Sequence, residues 1–74
     1  MKGKKMETIK IRDEYIKLGQ ALKLSGICGS GVDAKHLIEN GMVTVNGETE
    51  LQRGKKLRHG DVVACDGKSI QIEG

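Results

Sequence analysis

The chain has 74 residues, which suffices for one small domain with a thin core. Hydrophobic residues make up 36% of the sequence and charged residues 31%, so the composition excludes a disordered chain. Thirteen Lys and Arg against ten Asp and Glu give a formal net charge of +3. No apolar run approaches the ~18 residues of a membrane span, and no signal peptide is evident, so we expect a cytoplasmic protein without membrane partners.

The first predicted features are a flexible basic arm and a strand. Residues 1–6 contain a glycine and three lysines, which favours a mobile arm. Residues 7–74 are predicted to form a single domain. Within it, residues 8–12 alternate apolar and polar side chains, and this period of two indicates a half-buried strand.

Two short helices are predicted next. The first begins near Tyr15 and ends at Gly26, which can adopt the left-handed conformation of a helix C-cap. Asp13 and Glu14 would lie at the positive end of its dipole. The i, i+3, i+4 and i+7 positions of one helical face are Leu18, Ala21, Leu22 and Ser25.

The second helix is predicted to begin after Ser30. The acid three residues later, Asp33, completes a capping-box-like pattern. The pair Asn40-Gly41 ends the helix. Its apolar stripe consists of Ala34, Leu37 and Ile38.

A β-hairpin is predicted after the second helix. Residues 42–45 alternate, and Asn46-Gly47 tolerates the positive φ angles of a type I′ turn. The returning strand is expected at residues 48–51.

The remaining residues are predicted to form a loop and a second hairpin. Residues 52–60 form a basic loop, and strands follow at 61–65 and 69–72, joined by a turn at Asp66-Gly67. The predicted fold class is α+β, with two short helices packed on antiparallel β-hairpins.

Basic residues are concentrated in one segment, because residues 52–60 contain no acid. The two predicted helices add lysines beside their apolar stripes, so a phosphate strand could lie across them. A single lysine or arginine is usually only a solvated surface charge, and the prediction therefore depends on the cluster. The predicted binding residues are Lys17, Lys23, Lys35, Arg53, Lys55, Lys56 and Arg58.

The single aromatic residue, Tyr15, limits how a nucleic acid can be recognised. Proteins that read single-stranded sequence stack bases on Phe, Tyr or Trp. With one Tyr and no Phe or Trp, stacking is excluded as the main mechanism. Shape recognition through phosphates and 2′-hydroxyls of folded RNA remains.

The sequence predicts neither a cofactor nor a catalytic site. Cys28, His36, His59 and Cys65 are of types that bind zinc, but none of them pair at the short spacings of zinc motifs. In a reducing compartment both cysteines are expected to be thiols. No nucleophile with a base, no paired carboxylates and no Gly-rich phosphate loop are evident, so we expect no enzyme activity.

Three local matches resemble the RNA-binding domain named after ribosomal protein S4, whose helix-loop-helix and strands are called the αL motif. Residues 34–47, AKHLIENGMVTVNG, resemble the family's most recognisable stretch. Lys17-Leu18 resembles the start of its first helix, and Gly60-Asp61-Val62 resembles its closing turn. The small size and residues 16–20, IKLGQ, are similar to the small stand-alone, YbcJ-like bacterial members.

The resemblance implies an αL fold that binds structured RNA, namely ribosomal or transfer RNA, in ribosome assembly or translation quality control. Two positions depart from the family: Gly31 stands where it usually has Arg, and Gly19 where it usually has Asp. The Arg missing at Gly31 removes one expected phosphate ligand, and if that Arg is essential, RNA affinity is weakened or is supplied by the basic loop. The alternative function is a protein-interaction module that docks an acidic protein surface with the same basic face.

Overall fold

A computed structural model of the chain describes residues 6–65 and 67–74. The predicted basic arm lies outside these residues except for Met6, which begins the first strand. Asp66 of the last predicted turn also lies outside them. The elements are β1 (Met6–Lys10), β2 (Ile16–Lys17), α1 (Leu18–Leu24), α2 (Gly31–Glu39), β3 (Val43–Val45), β4 (Glu48–Thr49), β5 (Lys56–Leu57), β6 (Val62–Cys65) and β7 (Lys68–Glu73).

The strands form two sheets. A five-stranded sheet has the order β1-β7-β6-β3-β4, and β2 pairs with β5 in a separate two-stranded ribbon. All pairs are antiparallel except β1 with β7, which is parallel. The predicted α+β class is confirmed, whereas the parallel pairing was not predicted, because alternation reveals a strand without naming its partner.

One apolar cluster joins the helices to both sheets. It includes Leu18 and Leu22 of α1, Ile38 of α2 and Leu57 of the ribbon, all fully buried. The five-stranded sheet contributes Ile9, Val43, Val45, Val63, Cys65, Ile70 and Ile72. Neither helix of the described residues has the length and apolar character needed to span a membrane.

The predicted start of the first helix is wrong by three residues. Residues 16 and 17 are extended and pair with β5, so α1 begins only at Leu18. Ile16 and Leu57 lie opposite each other and are both buried, which explains why the chain stays extended there. No acid lies in the first turn of α1, so Asp13 and Glu14 do not interact with its dipole as expected. The same pairing places a short strand inside the predicted basic loop.

The second helix and the hairpin turn follow the prediction, although the returning strand β4 ends at Thr49, two residues earlier than expected. The Ser30 side chain accepts a hydrogen bond from the Asp33 backbone N–H at 3.3 Å, as an N-cap does. Gly41 ends the helix with a φ of 74°. Asn46 and Gly47 have φ angles of 54° and 87°, which are the angles of a type I′ turn.

Asn46 also connects the hairpin to the chain that follows β5. Its Nδ2 donates to Asp61 Oδ1 at 3.1 Å, and its Oδ1 accepts from the Val62 backbone N–H at 3.0 Å. Asp61 Oδ2 in turn accepts from the Arg58 backbone N–H at 2.8 Å. These bonds fix the backbone of Arg58 next to the β2–β5 ribbon.

Candidate nucleic-acid interface

The outer face of the β2–β5 ribbon presents two opposed lysines. Lys17 lies directly opposite Lys56 in the antiparallel register. Since the neighbouring pair, Ile16 and Leu57, is buried, the lysines point to the opposite face, and both are exposed. Like charges directly opposite each other destabilise a sheet, and a bound anion would relieve their repulsion. The ribbon therefore presents two cations to an approaching anion, while the acids Asp13 and Glu14 line a separate cavity beside Lys17.

Tyr15 lies beside this pair and contacts two cations. Lys56 Nζ is 4.9 Å from the centre of the Tyr15 ring, and the guanidinium carbon of Arg58 is 6.0 Å from it. A cation this close to an aromatic face gains about 0.5–1 kcal/mol at an exposed site. The half-buried ring thus holds Lys56 and Arg58 on the outer face of the ribbon.

A groove of about 470 Å³ adjoins the ribbon at Lys17. Its charged lining consists of Lys17, Lys23 and Arg53, and no Asp or Glu is among the described residues that line it. The other lining residues are Gly19, Gln20, Gly31 and Gly54. Gly31 and Gly54 leave room for a polymer backbone to approach closely, because a Cβ at either position would meet nothing within 4 Å. Shape and charge therefore suit a phosphodiester strand.

The loop before β5 is held against the start of α1 by its backbone. Leu18 N–H donates to Lys55 O at 2.9 Å, and Gly19 N–H donates to Arg53 O at 3.1 Å. These two N–H groups are among those that a helix start leaves without an intrahelical partner. Because the loop already occupies them, the cationic side chains supply the groove's attraction for an anion.

Five of the seven predicted binding residues fall into two adjoining groups. Lys17, Lys23 and Arg53 line the groove, while Lys56 and Arg58 surround Tyr15. Lys17 joins the two groups through its pairing with Lys56, although it lies in β2 and not on the first helix as expected. We call the surface formed by these five cations the ribbon-groove surface.

Lys35 and Lys55 are not among the residues that line the groove. Lys35 is exposed on α2. Lys55 lines a separate cavity of about 140 Å³ with the acids Glu48, Glu50 and Asp61. Lys35 and Lys55 therefore lie in different surroundings. The three carboxylates near Lys55 reduce its attraction for a phosphate.

The sequence prediction missed two residues of this surface. Tyr15 was placed at a helix start, and only its ring contacts with Lys56 and Arg58, far along the chain, reveal its role. Gly19 was noted only as a departure from a family pattern. A glycine near the start of a helix is a weak indication of a functional position in the sequence alone. The reason for Gly19 is the Arg53 side chain packed against it, which only the structure shows.

The cysteines and histidines do not assemble a metal site in the part of the chain that the structure describes. No group of three His, Cys, Asp or Glu side chains there could hold a metal ion. Cys28 is a buried free thiol. Burial, and to a lesser degree the Asp33 carboxylate, raises the pKa of the Cys28 thiol. A raised pKa lowers the reactivity of this thiol at neutral pH.

The fold and this surface define a small α+β domain with a cation-lined groove. The S4 domain family matches the chain over residues 9–73. The chain therefore belongs to the S4 domain family, and the resemblance seen in the sequence is confirmed.

Two relatives are similar to most of the chain. A Bacillus subtilis (strain 168) protein named "Probable ribosome maturation protein RlbA" is 46% identical over 59 residues, which cover 80% of this chain and 83% of the relative. The Escherichia coli (strain K12) protein YbcJ is 36% identical over 58 residues, which cover 78% of this chain and 83% of YbcJ.

The fold is also similar to a solved structure. The solution structure of YbcJ from E. coli, described as revealing an αL motif involved in RNA binding, superposes with a TM-score of 0.70 and 30% identity. The match covers 100% of this chain and 92% of that one. The predicted αL architecture and the YbcJ-like resemblance are thereby confirmed.

Proposed function

We propose that this protein binds structured RNA with the ribbon-groove surface. The observation that supports this most directly is the groove, whose described lining contains three cations and no carboxylate. RNA is the polyanion that fits the S4 domain family and the αL motif reported for YbcJ. Lys56 and Arg58 extend the positive surface beyond the groove along the ribbon.

The proposed mode of binding is contact with phosphates and with the shape of the RNA. Tyr15 is the only aromatic residue, and its ring already faces Lys56. Stacking of successive bases therefore contributes little, whereas cations spaced along a groove suit successive phosphates of a helical strand. The expected ligand is a folded or double-helical RNA.

The proposed target is ribosomal or transfer RNA, and the proposed process is ribosome assembly or translation quality control in the cytoplasm. The name of the B. subtilis relative supports the ribosomal part of this proposal. The proposed role is binding alone, without a chemical step. Co-sedimentation with ribosomal particles tests it, because a ribosome-assembly factor should sediment with subunits or their precursors.

The experiment that tests RNA binding compares an RNA hairpin with poly-U of equal length across a salt series. About four neutralised phosphates predict a log-log slope near −3 to −4, or about two decades of affinity between 50 and 200 mM salt. The hairpin should outcompete poly-U. Equal competition would contradict shape recognition, and a flat salt response would reject phosphate contacts.

An acidic protein competitor tests the alternative function in the same assay. If it displaces the hairpin at equal charge concentration, the basic face is a docking surface for acidic proteins. If the hairpin resists displacement, the RNA proposal stands.

A further inference from the structure

Gly19 occupies a position where a side chain would collide with Arg53. A Cβ built on Gly19 would lie 2.6 Å from Cγ and 3.1 Å from Cδ of Arg53. Gly19 is buried near the start of α1, so the stem of Arg53 lies in the space that any other residue's side chain would need.

The backbone conformation does not explain this glycine. The glycines of positive φ in the described chain are at other positions, so Gly19 has ordinary helical geometry that alanine adopts readily. Alanine also stabilises a helix more than glycine does. The feature that requires glycine here is therefore the close approach of the Arg53 side chain.

Arg53 is held by its backbone as well as its side chain. Its carbonyl oxygen accepts from Gly19 N–H at 3.1 Å, and its aliphatic stem packs over the same glycine. The side chain lines the groove together with Lys17 and Lys23. An arginine whose stem is already ordered loses less conformational entropy when its guanidinium binds a phosphate.

We propose that Gly19 is a positioning residue whose missing side chain seats Arg53 so that its guanidinium binds phosphodiester oxygens of the RNA in the groove. This inference rests on the proposed function. Gly19 acts only through Arg53 and needs no contact with RNA itself.

The RNA test uses Gly19→Ala, Arg53→Ala and the double variant, with Gly29→Ala as a control. Gly29 does not line the groove, and a Cβ there would meet only Asp33 Oδ2 at 3.8 Å, an ordinary contact. Gly19→Ala should weaken hairpin binding about as much as Arg53→Ala, roughly fivefold. Gly29→Ala should change it less than twofold, about the size of a surface effect. In the Arg53→Ala background, Gly19→Ala should cause no further loss.

A stability test on the same variants needs no RNA and separates the inference from the proposed function. Gly19→Ala should lower the midpoint of urea unfolding when Arg53 is present, and raise it when Arg53 is replaced by Ala, because only helix propensity then remains. The same change in both backgrounds would overturn the inference, as would full RNA affinity in Gly19→Ala. Failure of the unmodified protein to bind RNA would instead reject the proposed function, while the urea result would still decide whether Gly19 seats Arg53.

Discussion

Arg53 and Lys55 are separated by one residue but lie in different surroundings. Arg53 lines the groove with Lys17 and Lys23, and Lys55 lies with three acids. Replacing Arg53 by Ala should therefore weaken RNA binding by about 1 kcal/mol and reduce the salt slope by about one unit. Replacing Lys55 by Ala should do markedly less. Fluorescence anisotropy with a labelled hairpin measures both, and equal losses would place the binding surface elsewhere.

We expect Lys17 and Lys56 to lower the stability of the ribbon, because they repel each other, and to favour the binding of an anion. Lys17→Gln removes the repulsion with Lys56, so the free energy of unfolding should stay constant or rise by a few tenths of a kcal/mol. Added salt should stabilise the unmodified protein more than the variant, because it screens that repulsion. Urea unfolding at low and high salt tests this. A clear loss of stability in Lys17→Gln would show that the pair is not repulsive.

We expect the Cys28 thiol to make the free energy of unfolding depend on pH in the alkaline range. Its pKa is raised in the folded protein by burial and by Asp33, whereas the unfolded thiol ionises near its ordinary value of 9.0. The folded chain therefore retains its proton longer, and its stability should fall as pH rises above that ordinary value. Cys28→Ala removes this thiol, so the unfolding free energy of the variant should decline less between about pH 8 and about pH 10. Parallel declines in urea experiments would contradict the assignment.

At the scale of elements, the sequence predicted those features that depend on interactions between residues close together in the chain. The Ser30 cap, the end of α2 at Gly41 and the Asn46-Gly47 turn depend on residues close in sequence, and all three were predicted. The β2–β5 ribbon depends instead on burying Ile16 against Leu57, far along the chain. The pattern from Tyr15 onward has a helical period, so it does not indicate that residues 16 and 17 form a strand. Strands of two residues are also too short to show an alternating pattern.

The side chain of Asn46 connects the hairpin turn to the start of β6, and a substitution can remove its hydrogen bonds without straining the backbone. Asn46→Gly preserves the positive φ but removes the hydrogen bonds to Asp61 and from Val62 N–H. We expect a loss of about 1 kcal/mol in unfolding free energy, because both hydrogen bonds are exposed and water can replace the Asn46 side chain as a partner. RNA affinity of the folded variant should be nearly unchanged, because Asn46 is not a groove residue. An unchanged unfolding midpoint would show that the network does not stabilise the fold.

At the scale of the whole molecule, the distribution of charge matters more than the net charge of +3. The sequence predicted a basic cluster, but it could not show that Lys55 lies among acids or that Lys17 lies opposite Lys56. Those facts depend on the loop before β5 being held against α1 by two backbone hydrogen bonds. The cations were therefore predictable as a set, whereas their division between surfaces required the fold.

The central claim, that the groove binds RNA phosphates, is tested most directly by two variants of equal net charge. One carries Lys17→Gln, Lys23→Gln and Arg53→Gln in the groove. The other carries Lys35→Gln, Lys55→Gln and Lys68→Gln at exposed positions that do not line the groove. Hairpin binding is measured from 50 to 200 mM salt for both variants and the unmodified protein.

The groove variant should lose most of its affinity, and its log-log salt slope should become shallower by about 2 to 3 units, because about three phosphate contacts are gone. The control variant should keep a slope close to that of the unmodified protein. If the control variant loses as much slope and affinity as the groove variant, binding follows net charge alone, and the groove is not the RNA site.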